Sequence, residues 1–230
     1  MSYTFEPIAV VRSCFKEKFA IPRQAQLVPA AQGILELLPP FDNPQAITGL
    51  EQVSHIWLIF VFHQHLKEQA RLQVRPPRLG GQTMLGVFAS RSPYRPNAIG
   101  QSVVKLDKIE HGRLWVSGLD LLDGTPVLDI KPYLPYADSI EAAYNPIAAQ
   151  APETIRVTWQ ASTKAQALLH ETRLQQPVID LITQCLAQDP LPAYQKPTIG
   201  KYYGVQILDL QVRWHYLSTE HIEVVEFVPV

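Results

Sequence analysis

Proline and glycine divide this sequence into short apolar runs, and this division limits the folds open to the chain. Its 230 residues include 20 prolines and 11 glycines, and the prolines concentrate between the apolar runs. Short runs rich in β-branched residues and closed by Pro or Gly are typical of strands. In the first half we predict strands at residues 8–11, 34–38, 56–62, 102–106, 114–116 and 127–130. Many short strands joined by such turns indicate a β-barrel or a β-sandwich.

The apolar run at residues 56–62 ends abruptly in His63, Gln64 and His65. Seven consecutive apolar residues with β-branched and aromatic members fit a fully buried strand better than a helix. Polar and titratable groups at the end of a buried strand mark a place where a site can open. Two histidines at i and i+2 of a strand share a face, but no third His or Cys lies near to complete a metal site. The remaining interpretations are a hydrogen bond to a ligand and purely structural histidines.

Residues 86–100, GVFASRSPYRPNAIG, predict a shaped loop rather than a helix. Proline fixes φ and removes an N–H, while glycine permits conformations that other residues avoid. The loop holds the guanidinium groups of Arg91 and Arg95 together with Ser92 and Asn97. A rigid loop of this composition suits a polar or anionic ligand. A solvated loop with turn prolines is the alternative.

Basic residues concentrate between positions 66 and 95, although the net charge of the whole chain is only −1. They are Lys67, Arg71, Arg75, Arg78, Arg91 and Arg95. Cations interleaved with Pro, Gly and polar residues can follow a phosphate backbone. A solvated charged loop is again the alternative. Any nucleic-acid surface must therefore come from local segregation of charge.

Asp120, Asp123 and Asp129 lie within ten residues of one another, around an Asp-Gly turn signal at Asp123 and Gly124. Aspartate commonly shapes turns, so each carboxylate has a structural interpretation. The functional interpretation is that one of them accepts hydrogen bonds from a ligand amine, amide or ribose hydroxyl. The pattern does not match a Mg²⁺ site, and we predict no metal.

The composition changes after Asp138, where Ala, Gln and Pro dominate as in a linker. We therefore predict two domains, at residues 1–145 and 152–230. The second is expected to contain a strand at 155–159 and a helix over 164–173 that Ser162 caps. A further helix follows Pro177, with apolar residues at i, i+3, i+4, i+7 and i+8.

A loop over residues 191–204 carries Lys196, Lys201 and three tyrosines. Residues 208–216 then alternate between apolar and polar with a period of two, and 222–227 is the expected hairpin partner. The predicted fold is thus mainly β: an N-terminal β-barrel that is not a Rossmann sheet, and a small C-terminal α+β domain of two helices and a β-hairpin.

Several functional classes are excluded by what the sequence lacks. Cys14 and Cys185 are the only cysteines, which excludes a disulfide scaffold and a four-cysteine zinc site. No signal peptide or membrane span is recognisable, so a reducing cytoplasm is expected. The sequence has no Walker loop, no GxGxxG after a strand, no GxSxG and no HExxH. The N-terminal part lacks the strand and helix alternation of a doubly wound nucleotide fold.

The segments GVFASRSPYRPNAIGQS and LDLLDGTPVLDIKPYLP resemble the TsaA-like (VirR/YaeB) family, in its branch of tRNA threonylcarbamoyladenosine methyltransferases (TrmO-type). KEKFAIPRQ, GLEQVSHIWLIFVFHQ, VRPPRLGG and KYYGVQILDLQVRW are similar to the same branch, so the resemblance covers nearly the whole chain. Ala98 stands where the family usually has Pro, and Ser90 where it usually has Thr. Both departures are expected to be mild.

The resemblance implies a methyltransferase that uses S-adenosylmethionine on an all-β barrel, in agreement with the missing glycine-rich fingerprint. It implies that the substrate is threonylcarbamoyladenosine at position 37 of tRNA, next to the anticodon, and that the exocyclic N6 nitrogen receives the methyl group. It also implies a homodimer with the cofactor near the subunit interface, and no contact with a membrane.

Residue roles follow from the same resemblance. The implied cofactor-binding residues are Gln24, Ala25, Gln26, His63, Gln64, Arg91, Leu121, Leu122, Asp123, Gly124, Thr125 and Pro126. The predicted tRNA contacts are Arg75, Arg78, Arg95, Lys196 and Lys201. The attacking nitrogen is urea-like and must lose its proton, so a base would help. His63 or an Asp of residues 120–129 is the hypothesis for that base, and His63 and Asp123 are the named candidates.

Two other functional classes remain open on the residues alone. One is a non-catalytic module on the same barrel that binds adenine nucleotides or RNA. The other is a hydrolase or a different small-molecule transferase. Binding of S-adenosylmethionine, followed by transfer of labelled methyl to tRNA, separates these alternatives.

Overall fold

The computed structural model of the chain describes residues 3–66, 69–76, 83–168, 177–192 and 195–230. The N-terminal strands are β1 (Ala9–Ser13), β2 (Gln32–Leu37), β3 (His55–Val61), β4 (Gln73–Val74), β5 (Leu85–Gly86), β6 (Ile99–Glu110), β7 (Arg113–Ser117) and β8 (Pro126–Pro132). Six of them close into an antiparallel barrel in the order β1-β2-β7-β6-β3-β8, while β4 pairs with β5. The predicted barrel is thereby confirmed, and each predicted strand overlaps an observed one.

Side chains at every second position of a barrel strand point inward, and these side chains fill the barrel. On β3, Ile56, Leu58 and Phe60 are buried in the barrel, while His55 and Trp57 face outward and are half-buried. The prediction of a fully buried strand is therefore wrong for residues 56–62, because only one face of β3 packs into the barrel core. Each fully buried aliphatic or aromatic side chain stabilises the fold by about 1.5–3 kcal/mol relative to exposure.

One end of the barrel collects the segments that matter for function. The strand register pairs Ser13 with Gly33, Gln32 with Ser117, and Val61 with Ile99. The connecting segments at that end are therefore residues 14–31, 62–66, 87–98 and 118–125. We call this end the mouth of the barrel.

The C-terminal domain is built around a second sheet. Its strands are β9 (Arg156–Trp159), β10 (Tyr202–Ile207), β11 (Leu210–Ser218) and β12 (His221–Pro229), in the order β10-β11-β12-β9. The β12–β9 pair is parallel. The α-helices in the described residues are α1 (Pro135–Asp138), α2 (Ala161–Leu168) and α3 (Val178–Ala187). None of the described helices has the length and apolar character needed to cross a membrane.

Helix α3 has the predicted apolar face, because Val178, Leu181, Ile182, Cys185 and Leu186 are all buried. Two details of the predicted domain need correction. The sheet has four strands rather than a hairpin, because β9 and β10 join the hairpin of β11 and β12. Helix α2 begins at Ala161 and contains Ser162, which therefore does not cap it. The predicted end of this helix, at 169–173, lies outside the described residues.

Residues 14–31, which the predicted boundaries assign to the barrel domain, pack into the core of the C-terminal domain. Phe15 forms a β-bridge with Ile207, and its side chain is 1 % exposed. The Leu208 N–H donates to the Cys14 carbonyl at 2.7 Å. The Ala30 N–H donates to the Gln184 amide oxygen at 2.9 Å. The two domains therefore share a core. Their predicted boundaries, at residues 1–145 and 152–230, stay a prediction.

Gly100 provides a test of packing inside the barrel. It lies opposite Phe60, and an added Cβ would come within 2.4 Å of two carbons of the Phe60 ring. Phe60 packs edge to face against Phe62, with ring centroids 5.2 Å apart, so it has little room to move. We expect Gly100→Ala to lower the free energy of unfolding by about 1–3 kcal/mol in urea denaturation.

Gly86→Ala is the matched control for this substitution. No atom lies within 4 Å of an added Cβ at Gly86, and its φ of −57° suits any residue. Its unfolding free energy should change by no more than about 0.5 kcal/mol. Equal stability of the two variants would contradict the packing argument.

Candidate active site

Hydrogen bonds tie the separate segments of the mouth together. The Gln26 N–H donates to the Gly118 carbonyl at 2.9 Å, and the Phe62 N–H donates to the Ala98 carbonyl at 2.8 Å. The Arg91 guanidinium donates to the Gln24 amide oxygen. The structure therefore brings residues 24–26, Arg91 and the turn after β7 to one place, as the site assignments require.

A cleft of about 480 Å³ opens at the mouth and runs along the outer face of β3 and β6. That volume lies in the range of small-molecule sites. From the loops of the mouth the lining comprises Gln24, Ala25, Gln26 and Arg91. From β3, β6 and the segment after β8 it comprises His55, Trp57, Gln101, Ser102, Val103, Tyr133 and Asp138. Polar groups thus gather at the mouth, and aromatic side chains form part of the other wall.

Asp120 is a half-buried residue at the mouth whose carboxyl Oδ1 atom is fully buried. Its Oδ1 is inaccessible to solvent and has no hydrogen-bond partner. Burial raises the pKa of Asp120 to about 6, while hydrogen bonds from Ser102 and from the backbone at Asp120 and Ala25, and the charge of Arg91, act in the opposite direction. Removal from water outweighs these interactions because it disfavours the charged form.

The sequence around Asp120 explains its burial. Leu119 and Leu121 are 0 % and 3 % exposed and belong to the barrel core, so the residue between them is held at the mouth. Gly118 has a φ of +70°, and a Cβ there would lie 2.5 Å from the Gln26 side chain. Sequence reasoning named Asp120 in the acidic group but did not select it. Its two leucine neighbours were the available signal.

Asp123 does not line the cleft. Its Oδ1 accepts the Ser13 N–H at 2.8 Å, and its Oδ2 lies 2.8 Å from the Lys16 ammonium. Gly124 has a φ of +77°, and Thr125 donates to the Leu122 carbonyl at 2.6 Å. These contacts give Asp123 a role in shaping the 121–126 turn at the mouth. Catalysis by Asp123, and cofactor binding by residues 121–126, stay predictions.

His63 and Gln64 also lie at the mouth but do not line the cleft. They form a short 3₁₀ turn with His65, in which His63 is half-buried and Gln64 exposed. Burial, followed by the charge of Lys18, lowers the pKa of His63. The roles assigned to His63 and Gln64 stay predictions. Within the described ranges no group of three His, Cys, Asp or Glu residues could hold a metal ion.

The predicted tRNA-binding residues fall into three groups. Arg95 is half-buried, and its guanidinium donates to the Val87 and Ser90 carbonyls at 3.3 and 2.7 Å, so it holds the loop in shape. Arg75 lies outside the mouth, with its Nε 3.1 Å from the Met84 sulfur. Lys196 and Lys201 are exposed on the C-terminal domain. Arg78 lies outside the described residues, and all five contacts stay predictions.

The departure from the family pattern at Ala98 is larger than expected. Ala98 has a φ of 48°, and its N–H donates to the Arg95 carbonyl at 3.2 Å. Proline is fixed near a φ of about −65° and has no N–H, so it could not take this conformation. The loop therefore closes in a way that the usual proline would not allow.

Comparison with known proteins matches the chain along its length. Residues 10–139 match the tRNA-methyltransferase O N-terminal domain, and residues 152–230 match the TrmO C-terminal domain. A Pseudomonas aeruginosa protein, whose name describes S-adenosylmethionine-dependent methyltransferase activity, is 61% identical over 226 residues and 98% of both chains. An Escherichia coli tRNA (adenine(37)-N6)-methyltransferase is 48% identical over 219 residues and 93% of both chains. The crystal structure of TrmO from Pseudomonas aeruginosa is similar with a TM-score of 0.86 and 54% identity, over 99% of both chains.

The buried carboxyl predicts a specific dependence of stability on pH. The pKa of Asp120 is about 6 in the folded protein against an ordinary value of 3.8, so between these values the folded state binds a proton that the unfolded chain has lost. The stability due to this proton is fully present below about pH 4 and is lost as pH rises to about 6. Removing the ionisable group should therefore increase the stability of the folded protein only at the higher pH.

We expect Asp120→Asn to gain stability relative to the unchanged protein as pH rises from 4 to 8. The gain should reach up to about 3 kcal/mol, because one pKa unit corresponds to about 1.4 kcal/mol. Urea denaturation at several pH values measures it. Asp42→Asn, at an exposed carboxyl, is the control. A difference between Asp120→Asn and the unchanged protein that is the same at every pH would show that Asp120 is not held with a raised pKa.

Proposed function

The chain belongs to the tRNA-methyltransferase O family, and from that premise we propose that it uses S-adenosylmethionine to methylate the N6 nitrogen of adenine 37 in tRNA. The observation that carries the proposal is the cleft at the mouth, which Arg91 and the amides of Gln24 and Gln26 line, with Asp120 close enough for the charge of Arg91 to act on it. The threonylcarbamoyl group on the target adenine, and a cytoplasmic location, are parts of the proposal that come from the sequence resemblance.

The residues at the mouth fit the proposed cofactor. S-adenosylmethionine combines a positively charged sulfur, an amino-acid end and a purine, so its site needs negative charge, polar groups and an apolar wall. Asp120 does not line the cleft but lies near Arg91 at the mouth, where it is a nearby source of negative charge. Arg91 suits a carboxylate, because guanidinium can form two parallel hydrogen bonds with it. Trp57 and Tyr133, with ring centroids 6.0 Å apart, line the part of the cleft where a purine can lie.

The chemistry asked of the protein is limited. When bound, S-adenosylmethionine supplies an electrophilic methyl group, and transfer discharges the positive sulfur. The chain must hold the target nitrogen close to that methyl group, and such positioning can contribute about 7–11 kcal/mol of the barrier. It must also take the proton that the nitrogen loses, which contributes about 10²–10⁴-fold.

The tRNA is expected to contact basic and aromatic side chains next to the mouth and on the C-terminal domain. Lys201 is exposed, and its ammonium lies 5.4 Å from the centroid of the Tyr203 ring. Arg71 stacks over Tyr94 at 4.2 Å, next to the Arg91 loop. Ammonium and guanidinium groups beside aromatic rings suit phosphates and unstacked bases. These contacts support the proposed substrate without selecting a tRNA species.

We further propose that the enzyme is a homodimer in which a second copy covers the cleft. The segment after the cleft residue Tyr133 is exposed from residue 134 to residue 150 and carries Leu134, Tyr136, Ile140 and Tyr144. Contiguous exposed apolar side chains mark interaction surfaces. Sedimentation velocity should show a species of twice the chain mass. A monomer that remains at micromolar concentrations would contradict this.

The proposed reaction can be tested directly. The purified protein, mixed with S-adenosylmethionine carrying a labelled methyl group and tRNA from cells that lack the enzyme, should label the tRNA. Mass spectrometry of the nucleosides should place the label on N6 of the adenosine at position 37. Cofactor binding without transfer would favour the non-catalytic binding module, and the absence of binding would contradict the proposal altogether.

Two substitutions should separate the cofactor site from the tRNA surface. Arg91→Ala is expected to weaken cofactor binding by about 10- to 100-fold in calorimetry, because it removes a charged hydrogen bond worth about 1.5–3 kcal/mol. Lys201→Ala should leave cofactor binding unchanged and reduce the salt dependence of tRNA binding by about one unit of slope. If both variants lost cofactor affinity equally, the assignment of the cleft would be wrong.

A further inference from the structure

We propose that Asp138 is a positioning residue of the cleft, because its carboxylate fixes the Trp57 indole and helix α1 as one wall on which the purine of the cofactor lies. The inference rests on the proposed function and deepens it by assigning one end of the cofactor to named residues. Asp138 acts through Trp57 and takes no part in the chemical step.

One oxygen of the Asp138 carboxylate accepts two hydrogen bonds. Trp57 Nε1 donates to Oδ2 at 2.9 Å, and the Leu134 N–H donates to the same atom at 2.8 Å. The Leu134 bond, followed by the Trp57 bond, lowers the pKa of Asp138, because both favour the charged form. Hydrogen bonds to an ionised group are about twice as strong as those between neutral groups. The carboxylate therefore joins β3 to a segment that is distant in the chain.

Helix α1 depends on this carboxylate for its place beside the barrel. It has only four residues, and none of them is buried. So short a helix is not stable in water by itself, and α1 has no buried apolar side chain to hold it. The bond from Trp57 to Asp138 and the backbone bond from the Tyr133 N–H to the His55 carbonyl, at 2.9 Å, attach this segment to β3. Loss of the carboxylate should therefore release the indole and the helix together.

The residues that Asp138 joins form the aromatic part of the cleft. Trp57, Tyr133 and Asp138 all line it. Trp57 is half-buried on the outward face of β3, and its ring lies 6.0 Å from that of Tyr133 with 46° between the two planes. Rings tilted in this way leave room for a flat heterocycle to lie against the face of one and meet the other with its edge. Such stacking requires a fixed indole, which the hydrogen bond to Asp138 provides.

The two ends of the cofactor have separate residues in this arrangement. The loops of the mouth contribute Arg91 and the amides of Gln24 and Gln26, which suit the charged amino-acid end. The purine is then left to Trp57 and Tyr133. Nucleosides that carry both ends, or the purine end alone, can therefore tell the two parts of the cleft apart.

The first test is spectroscopic and needs no cofactor. In ¹⁵N-labelled protein the Trp57 indole N–H resonance can be assigned as the one that Trp57→Phe lacks. It should move in Asp138→Ala, which removes the acceptor. It should stay close to its original position in Asp138→Asn, because a single amide oxygen can still accept both hydrogen bonds. A resonance that does not move in Asp138→Ala would overturn the proposal.

The second test is calorimetric binding of two nucleosides. S-adenosylhomocysteine carries both ends, whereas 5′-methylthioadenosine has the purine but no amino-acid end. Asp138→Ala should weaken the binding of both by about 10-fold, within the range expected when a base loses its aromatic partner. Arg91→Ala should weaken only the first. A loss confined to S-adenosylhomocysteine in Asp138→Ala would overturn the assignment of the purine.

The same measurement separates this proposal from the proposed function. If the unchanged protein bound neither nucleoside, the proposed function would fail together with the role of the wall. If it bound both, and Asp138→Ala bound them equally well, the role of Asp138 alone would fail.

A double variant tests whether Asp138 acts through Trp57. Trp57→Phe keeps an aromatic ring and removes the N–H that donates to the carboxylate. Residues that act as a unit give losses that do not multiply. The double variant Trp57→Phe with Asp138→Ala should therefore bind 5′-methylthioadenosine within about twofold of Asp138→Ala alone. Losses that multiply in the double variant would overturn the proposal.

A matched control lies in another loop of the barrel. The Asn43 side chain accepts the Gln45 N–H at 2.9 Å and caps a short exposed turn that does not line the cleft. Asn43→Ala should keep both the Trp57 resonance and the nucleoside affinities. If Asn43→Ala matched Asp138→Ala, the effect would follow from the loss of any exposed cap, and the proposal would fail.

Helix α1 also begins the exposed segment proposed for the dimer, so the oligomeric state needs its own measurement. Sedimentation velocity of Asp138→Ala should give the same species as the unchanged protein, with the weaker nucleoside binding still present. A loss of affinity that appeared only where the dimer dissociates would assign the effect to the partner subunit and overturn the proposal.

Discussion

The burial of one carboxyl group organises the functional end of this molecule. Asp120 is held between two leucines of the barrel core, and its Oδ1 is inaccessible to solvent and accepts no hydrogen bond from the protein. The segment carrying Gln24–Gln26, the loop carrying Arg91, and strand β6 all contribute groups that act on it. Burial of a charge opposes folding, and natural proteins retain such costs mainly at functional sites. The mouth is therefore arranged around a carboxyl group whose ionisation opposes folding.

Much of the fold was predictable from the sequence because a strand can be recognised from its own residues and those at its ends. Alternation, β-branched residues and Pro or Gly boundaries located every strand of the closed barrel, and the apolar spacing of α3 located its buried face. Strand β10 was missed because Gly204 and neighbouring tyrosines make residues 202–207 resemble the loop before them. The four-stranded sheet depends on parallel pairing between β9 and β12, which are far apart in sequence.

The site was predictable only in part, for a physical reason. Asp-Gly at 123–124 is a strong local signal, yet the structure gives Asp123 contacts with Ser13 and Lys16 that shape a turn. The pKa of Asp120 also depends on Ala25, Ser102 and Arg91, which are distant from it in the chain. Family resemblance grouped residues 24–26 with Arg91, and the register of the barrel then placed them along one cleft. A local sequence pattern can predict a turn, whereas the raised pKa of Asp120 arises only when segments distant in the chain meet at the mouth.

The shared core has an evolutionary consequence. Phe15, Val28 and Ala31 precede or flank the barrel strands, yet they are buried with α3 and β11 of the other domain. A gene that lost the region after the linker would leave these side chains in water, beside the very residues that line the cleft. Replacement of the small domain by an unrelated module at the linker would therefore expose these side chains unless the new module covered them. In a relative where another region replaces the small domain, that region has to cover the apolar side chains of residues 14–31.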